Sequence, residues 1–197
     1  MHTICIDAGH GINTPGKRCS KECDKKETRE WSINDKVADL VENKLKNYCC
    51  KVVRTDDSTG KTDVSLLNRC KKANSLDADL FVSIHHNSTD KSVDKATGVE
   101  VYCYPQAPAS TKSIANKMYN AIISANKNKG NRAQGVRYAD FYVLKNTKMH
   151  ALLIENGFMN NKEDVKKILS SDYQNKTAQS IVNCIVSCLG IKKCCKL

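Results

Sequence analysis

The sequence predicts an α/β protein with a central, mostly parallel six-stranded sheet flanked by helices in a single layered domain spanning residues 1–197. Short apolar runs rich in Val and Ile alternate with longer segments whose apolar residues recur at helical spacing. Runs that are apolar throughout, such as Leu80-Phe81-Val82-Ser83-Ile84 and Ala151-Leu152-Leu153-Ile154, fit strands covered on both faces. Size and composition agree: 197 residues, 40% hydrophobic and 27% charged, suffice for one sizeable core and argue against wholesale disorder.

Taken in order, residues 3–7 read as a first strand. Residues 8–29 are polar and turn-rich, a long loop of the kind that carries function. Residues 30–48 place Ile33, Val37, Leu40, Val41 and Leu45 at a helical period. Residues 51–54 form a short strand. Residues 65–76 form a helix with Ser65 as N-cap and Leu66, Leu67, Cys70 and Ala73 on its buried face. Residues 79–84 are the most apolar strand. Residues 98–104 alternate Val99, Val101 and Cys103 against Glu100, Tyr102 and Tyr104, as a half-exposed strand does. A helix over 110–126 follows, then strands over 141–144 and 151–154. Helices over 162–169 and 173–189 come last, and no wall-binding module is expected after residue 189.

Formal net charge is +11, from 32 Lys and Arg against 21 Asp and Glu. Such a field favours polyanions, although a soluble basic surface accounts for it equally well. With 6% aromatic residues and no long basic block, stacking platforms for single-stranded nucleic acid are lacking, and no nucleic-acid partner is expected. The start, Met-His-Thr-Ile-Cys-Ile-Asp, has no basic segment and no sustained apolar stretch. No run is long enough for a transmembrane segment. The expectation is synthesis in the cytoplasm without a signal peptide, with any extracellular action following release. The 11 cysteines include no Cys-x-x-Cys, which argues against a zinc ribbon or a thioredoxin-like motif. They read as mostly reduced thiols, with Cys184 and Cys188 packing as small apolar residues on one helix face.

Three of the apolar runs end on chemistry. The first leads into Gly9-His10, the strand at 79–84 into His85-His86-Asn87, and the strand at 151–154 into Glu155-Asn156-Gly157. Open α/β sheets hold their ligands at the carboxyl ends of strands, and two histidines with a carboxylate are the working parts of a zinc hydrolase. His10, between glycines, is a ligand candidate, the plainer alternative being a solvated loop residue. His85 and His86 face opposite sides of a continuing strand, so only one can serve a shared site. A buried histidine bonded to a carbonyl is the alternative there, and Asn87 is a candidate to orient a ligand. A third ligand is expected near the first loop, where Glu27 and Glu30 both precede the first helix; simple favourable placement in the helix dipole explains either as well. Glu155, inside an apolar run, is costly to bury without a partner and is placed to act as a general base. A salt bridge to Arg69 or Arg137 is its structural alternative. His2 and His150 have no such setting and read as surface residues.

Several spaced motifs occur in one order: Asp7-Ala8-Gly9-His10-Gly11, Glu30-x-x-x-Asn34, Arg69-x-x-x-Ala73-Asn74, and Ala78 through His85. Gly98-Val99-Glu100-Val101 and Leu153-Ile154-Glu155-Asn156-Gly157-Phe158 follow. In this the chain resembles the zinc-dependent N-acetylmuramoyl-L-alanine amidases of the amidase type 3 family, from Thr3 to about the last helix. The resemblance implies a sheet of about six strands flanked by helices. It implies Zn2+ as cofactor, with His10, Glu30 and His85 as metal ligands, and Glu155 as the catalytic carboxylate. It implies cleavage of the amide between N-acetylmuramic acid and L-alanine in peptidoglycan, as phage endolysins and bacterial autolysins perform it. The sequence departs from the family pattern at His86 and His150, where a small or apolar residue and a proline are usual. A rival reading is a non-catalytic wall- or polyanion-binding module working through charge alone. A two-metal nuclease is disfavoured, since clustered carboxylates are missing.

Overall fold

The computed structural model describes residues 1–127 and 135–194. Six strands, β1 (His2–Ala8), β2 (Cys50–Arg54), β3 (Leu80–Asn87), β4 (Glu100–Cys103), β5 (Val136–Tyr138) and β6 (His150–Phe158), form one sheet in the order β2-β1-β3-β6-β4-β5. β2, β1, β3 and β6 run parallel, β4 lies antiparallel to β6, and β5 is parallel to β4. The mostly parallel α/β architecture is the one expected.

The helices are α1 (Glu30–Leu45), α2 (Leu66–Ser75), α3 (Ala109–Asn126), α4 (Tyr142–Lys145), α5 (Lys162–Ile168) and α6 (Ser171–Leu189). Because successive strand residues face opposite sides, Ile4, Ile6, Val82, Ile84 and Leu152 pack with Val37, Val41, Met118, Ile122, Ile181 and Ile185 of α1, α3 and α6. Cys5, Phe81 and Leu153 turn the other way, onto Cys70 and Ala73 of α2 and Val143 and Leu144 of α4. A third cluster, with Cys19, Ile33, Met159, Val165, Ile168 and Tyr173, pins the loop after β1 to α1, α5 and α6. Among the described residues no helix is long and apolar enough to cross a membrane.

The structure corrects the reading of individual segments. Residues 141–144 are not a strand: Tyr142–Lys145 is the short helix α4. Phe141 and Tyr142 are exposed while Val143 and Leu144 are buried, a pairing of neighbours that strand alternation does not give. The missing edge strand is instead β5, three residues that carry little apolar signal. On α2, Ser65 does cap the helix, its hydroxyl accepting from the Asn68 N–H at 3.3 Å. Leu66 and Leu67, expected inside, are 53% and 46% exposed, and the inward face belongs to Arg69, Cys70 and Ala73. Glu100, expected outward on β4, is buried. Its carboxylate accepts from Asn87 at 2.8 Å, Tyr102 at 2.7 Å and Arg137 at 2.5 Å, which makes burial tolerable.

Candidate metal centre

The carboxyl ends of β1, β3 and β6 lie side by side, since these strands are neighbours in the sheet. Past β1, the Gly9 N–H donates to the Ile84 carbonyl at 3.0 Å, carrying the chain across the end of β3. A Cβ on Gly9 would lie 2.0 Å from the His85 ring, so only glycine fits between the two strand ends. His10 then takes a left-handed backbone (φ 70), a conformation costly for a residue with a Cβ. Its carbonyl accepts from Arg69 Nη2 at 2.8 Å, which helps hold that turn.

These constraints bring together His10, Glu30 and His85, which offer one ligand atom each, all within 4.8 Å of one another. His10 Nε2 stands 3.3 Å from Glu30 Oε2, and His85 Nδ1 stands 3.1 Å from Glu30 Oε1. The two rings meet edge to face with centroids 5.0 Å apart. Two imidazoles and a carboxylate gathered this closely are a donor set that can hold a metal ion. Glu30 opens α1, its N–H held by the Lys17 carbonyl at 3.0 Å. Burial works against its charge, yet hydrogen bonds with His10 and His85 hold its carboxyl well below the usual range. Burial likewise opposes charge on His85, but the hydrogen bond to Glu30 and the charges of Glu30, Glu155 and Asp7 together outweigh it and raise the imidazole pKa. Glu27, the other carboxylate considered, lies outside the cluster and faces Arg18 at 3.8 Å.

A second ring of polar groups fixes the first. Ser83 Oγ lies 3.1 Å from His85 Nε2 and donates to Asp7 Oδ2 at 2.7 Å. Asp7 Oδ1 accepts from Thr55 Oγ1 at 2.7 Å and from Arg69 Nη1 at 2.8 Å. Burial would raise the Asp7 pKa, but the Arg69 charge and these hydrogen bonds lower it, keeping the group ionised. His86 points away from the cluster, its Nδ1 paired with Asn34 Oδ1 at 2.7 Å. Burial presses its pKa down to about 4, so it stays neutral. Asn34 also donates to the Gly9 carbonyl at 3.1 Å. Asn87 orients no ligand, because its amide serves Glu100.

Glu155 stands opposite His85 on β3 and opposite Glu100 on β4. It forms neither of the salt bridges considered, since Arg69 pairs with Asp7 and Asp63 and Arg137 pairs with Glu100. Its Oε2 is buried and has no hydrogen-bond partner among the described residues. Burial pushes its pKa up to about 8; His85 and Lys17 pull it down, while Glu30 and Glu100 push it further up. Glu155, His10 and His85 share a cavity of about 510 Å³ with Lys17, Leu66, Phe141 and Tyr142. His2 and His150 lie elsewhere, against Asp79 at 3.0 Å and Thr111 at 2.7 Å. Sequence reasoning missed the roles of Asp7, Ser83 and Asn34. The signal was present, because each is a polar residue inside an otherwise apolar strand or helix face.

Fold and site together define an α/β protein whose sheet end carries a two-histidine, one-glutamate cluster beside a buried carboxylate. The chain belongs to the N-acetylmuramoyl-L-alanine amidase family (Amidase_3), which matches residues 4–187. It is 33% identical over 193 residues to the N-acetylmuramoyl-L-alanine amidase CwlM of Bacillus licheniformis, covering 98% of this chain and 71% of that one. It is 32% identical over 195 residues to the endolysin of Bacillus phage SPP1, covering 96% and 67%. Among solved structures, the catalytic domain of the amidase CwlV from Bacillus (Paenibacillus) polymyxa var. colistinus superposes with a TM-score of 0.85 at 32% identity, covering 98% of this chain and 100% of that one. The N-acetylmuramoyl-L-alanine amidase of Clostridium difficile 630 gives 0.86 at 32% identity, covering 96% and 97%.

Proposed function

We propose that the chain is a zinc-dependent peptidoglycan hydrolase that cuts the amide between the lactyl group of N-acetylmuramic acid and L-alanine of the stem peptide. One observation carries the reading: one ligand atom each of His10, Glu30 and His85 lies within 4.8 Å of the others, and Glu155, whose Oε2 is buried with no hydrogen-bond partner among the described residues, lines the same cavity as His10 and His85. Two imidazoles and one carboxylate are a donor set that leaves the fourth tetrahedral position open, as catalytic rather than structural zinc sites do. Zinc bound there supplies Lewis acidity, lowering the pKa of a water toward about 7 and polarising a carbonyl. The relatives named as amidases and as an endolysin support the choice of substrate. That substrate lies outside the membrane, so a chain made in the cytoplasm acts on it after release.

The chain's own residues divide the remaining work. Ser83, at Nε2 of His85, would leave Nδ1 free to hold the metal. Glu155 in its ionised form takes a proton from the attacking water, and a cation beside it favours that form. It then returns the proton to the alanine nitrogen as the carbon–nitrogen bond breaks. One carboxylate serves both steps because they are sequential. Leu66, Phe141 and Tyr142 give the cavity an apolar wall against which the scissile amide is shielded from bulk water.

Mass spectrometry of fragments released from purified walls tests the proposal. The metal-loaded protein is expected to create new alanine amino groups, to stop doing so in a strong chelator, and to recover with zinc. Glu155→Gln is expected to keep its zinc and lose about 10²–10⁴ in turnover. New reducing sugar ends without alanine amino groups, or full activity in chelator, would overturn the reading. Salt-sensitive wall binding with no product would favour the binding-module alternative.

A further inference from the structure

α6 ends at Gly190 in the left-handed conformation (φ 63), and the chain turns back so that Ile191 enters the main core. Beyond it, residues 192–194 pair antiparallel with the turn between α1 and β2. The Cys49 N–H donates to the Lys192 carbonyl at 2.9 Å, the Cys194 N–H donates to the Asn47 carbonyl at 3.0 Å, and Tyr48 bridges to Lys193. With alternation along each strand, Cys49 and Cys194 fall on the same face of this pairing, diagonal to each other. Both are exposed, and their sulfurs lie 2.8 Å apart. That is inside the roughly 3.5–4.0 Å of ordinary packing contacts.

The other cysteine neighbours differ. Cys184 and Cys188 sit 3.8 Å apart on consecutive turns of one helix, with Cys184 buried and its thiol pKa pushed up to about 12 by burial. Cys50 turns inward, its thiol directed to the Leu45 carbonyl at 3.9 Å. Cys195 lies outside the described residues.

We propose that Cys49 and Cys194 are a redox-closing pair that forms a disulfide by exchange with a small-molecule disulfide of the glutathione class, fastening the C-terminal segment to the entry of β2. The Cys49 thiolate attacks one sulfur of the small disulfide, breaking its S–S bond and expelling the first small thiol. The Cys194 thiolate then attacks the Cys49 sulfur and expels the second. The protein loses two protons and two electrons, and the small disulfide takes up both and leaves as two thiols. The bond joins residues 145 apart, and long loops are where a cross-link most restricts the unfolded chain. Cys50 pairs with His2 at the start of β1, so the bond sits at the end of the sheet opposite His10. Closure therefore stabilises the fold without touching the candidate metal centre.

The test uses the full chain carrying Cys50→Ser and Cys195→Ser, incubated with excess oxidised glutathione. A non-reducing tryptic digest is expected to show one new species joining the peptides that contain Cys49 and Cys194, lighter than their sum by two hydrogen atoms and abolished by reduction. Tm is expected to rise on the order of 5 °C. Adding Cys49→Ser or Cys194→Ser should remove both the species and the rise. A lasting glutathione adduct on Cys49, a cross-link to any other cysteine, or a cross-linked protein with the Tm of the reduced form would each overturn the proposal.

Discussion

Glu155 meets two opposed demands. Its place in an apolar strand end favours the neutral acid, whereas proton abstraction needs the anion, and the pKa of about 8 reflects the first demand. Ser83 and Gly9 act on the cluster at the same scale, by fixing His85. Removing the Ser83 hydroxyl takes away the group beside Nε2 and leaves Asp7 Oδ2 short of a donor. Ser83→Ala is expected to weaken zinc binding about 10–100-fold, read by competition with a chromogenic chelator. Gly9→Ala acts by volume: a Cβ 2.0 Å from the His85 ring forces that ring out of place. Purified Gly9→Ala should carry far less than stoichiometric zinc by elemental analysis and still unfold cooperatively. At this scale the sequence showed His10, His85 and Glu155 because each ends an apolar run. It left Glu27 and Glu30 open until the family resemblance favoured Glu30, because a loop's path is set by what it packs on. Cys19 in that loop and Ile33 on α1 share one buried cluster, which seats the loop against the helix that Glu30 begins.

Among the elements, α2 shows how one buried cation organises a site. Arg69 donates to Asp7, Ala8, His10 and Val64 at 2.7–2.8 Å, tying the helix to the exit of β1. Arg69→Ala leaves the Asp7 carboxylate buried and without its cation. A loss of about 3–5 kcal/mol in urea unfolding is expected. Arg69→Lys is expected to recover little of it, because a single ammonium cannot span four acceptors held in a fork. The helical period had marked Leu66 and Leu67 as the inward face of α2. Arg69 displaced them because its charge finds enough acceptors inside, and periodicity carries no information about a distant carboxylate. The same limit explains α4 and β5: four apolar residues fit a strand or a helical turn equally, and a three-residue edge strand shows no pattern.

For the whole molecule, the buried acid predicts a pH dependence of stability. In metal-free protein the Glu155 pKa is about 8 when folded against 4.5 as the ordinary value, so the folded state holds the proton more tightly. Between these values the unfolded chain releases its proton while the folded one keeps it, so stability falls as pH rises from about 4.5 toward 8. Glu155→Gln removes this contribution. In chelator it should melt higher than the parent at pH 8 and converge with it near pH 4.5, as thermal scans across pH would reveal. The alternation of apolar runs and helical periods determined the layered α/β fold, because burial of those faces admits few arrangements. It also determined that chemistry gathers where parallel strands end. Only the tertiary structure decided which groups converge there, that Glu155 pairs with neither Arg69 nor Arg137, and that Glu100 is buried. Those outcomes depend on strand order and on contacts between residues far apart in the chain, where local pattern has no reach.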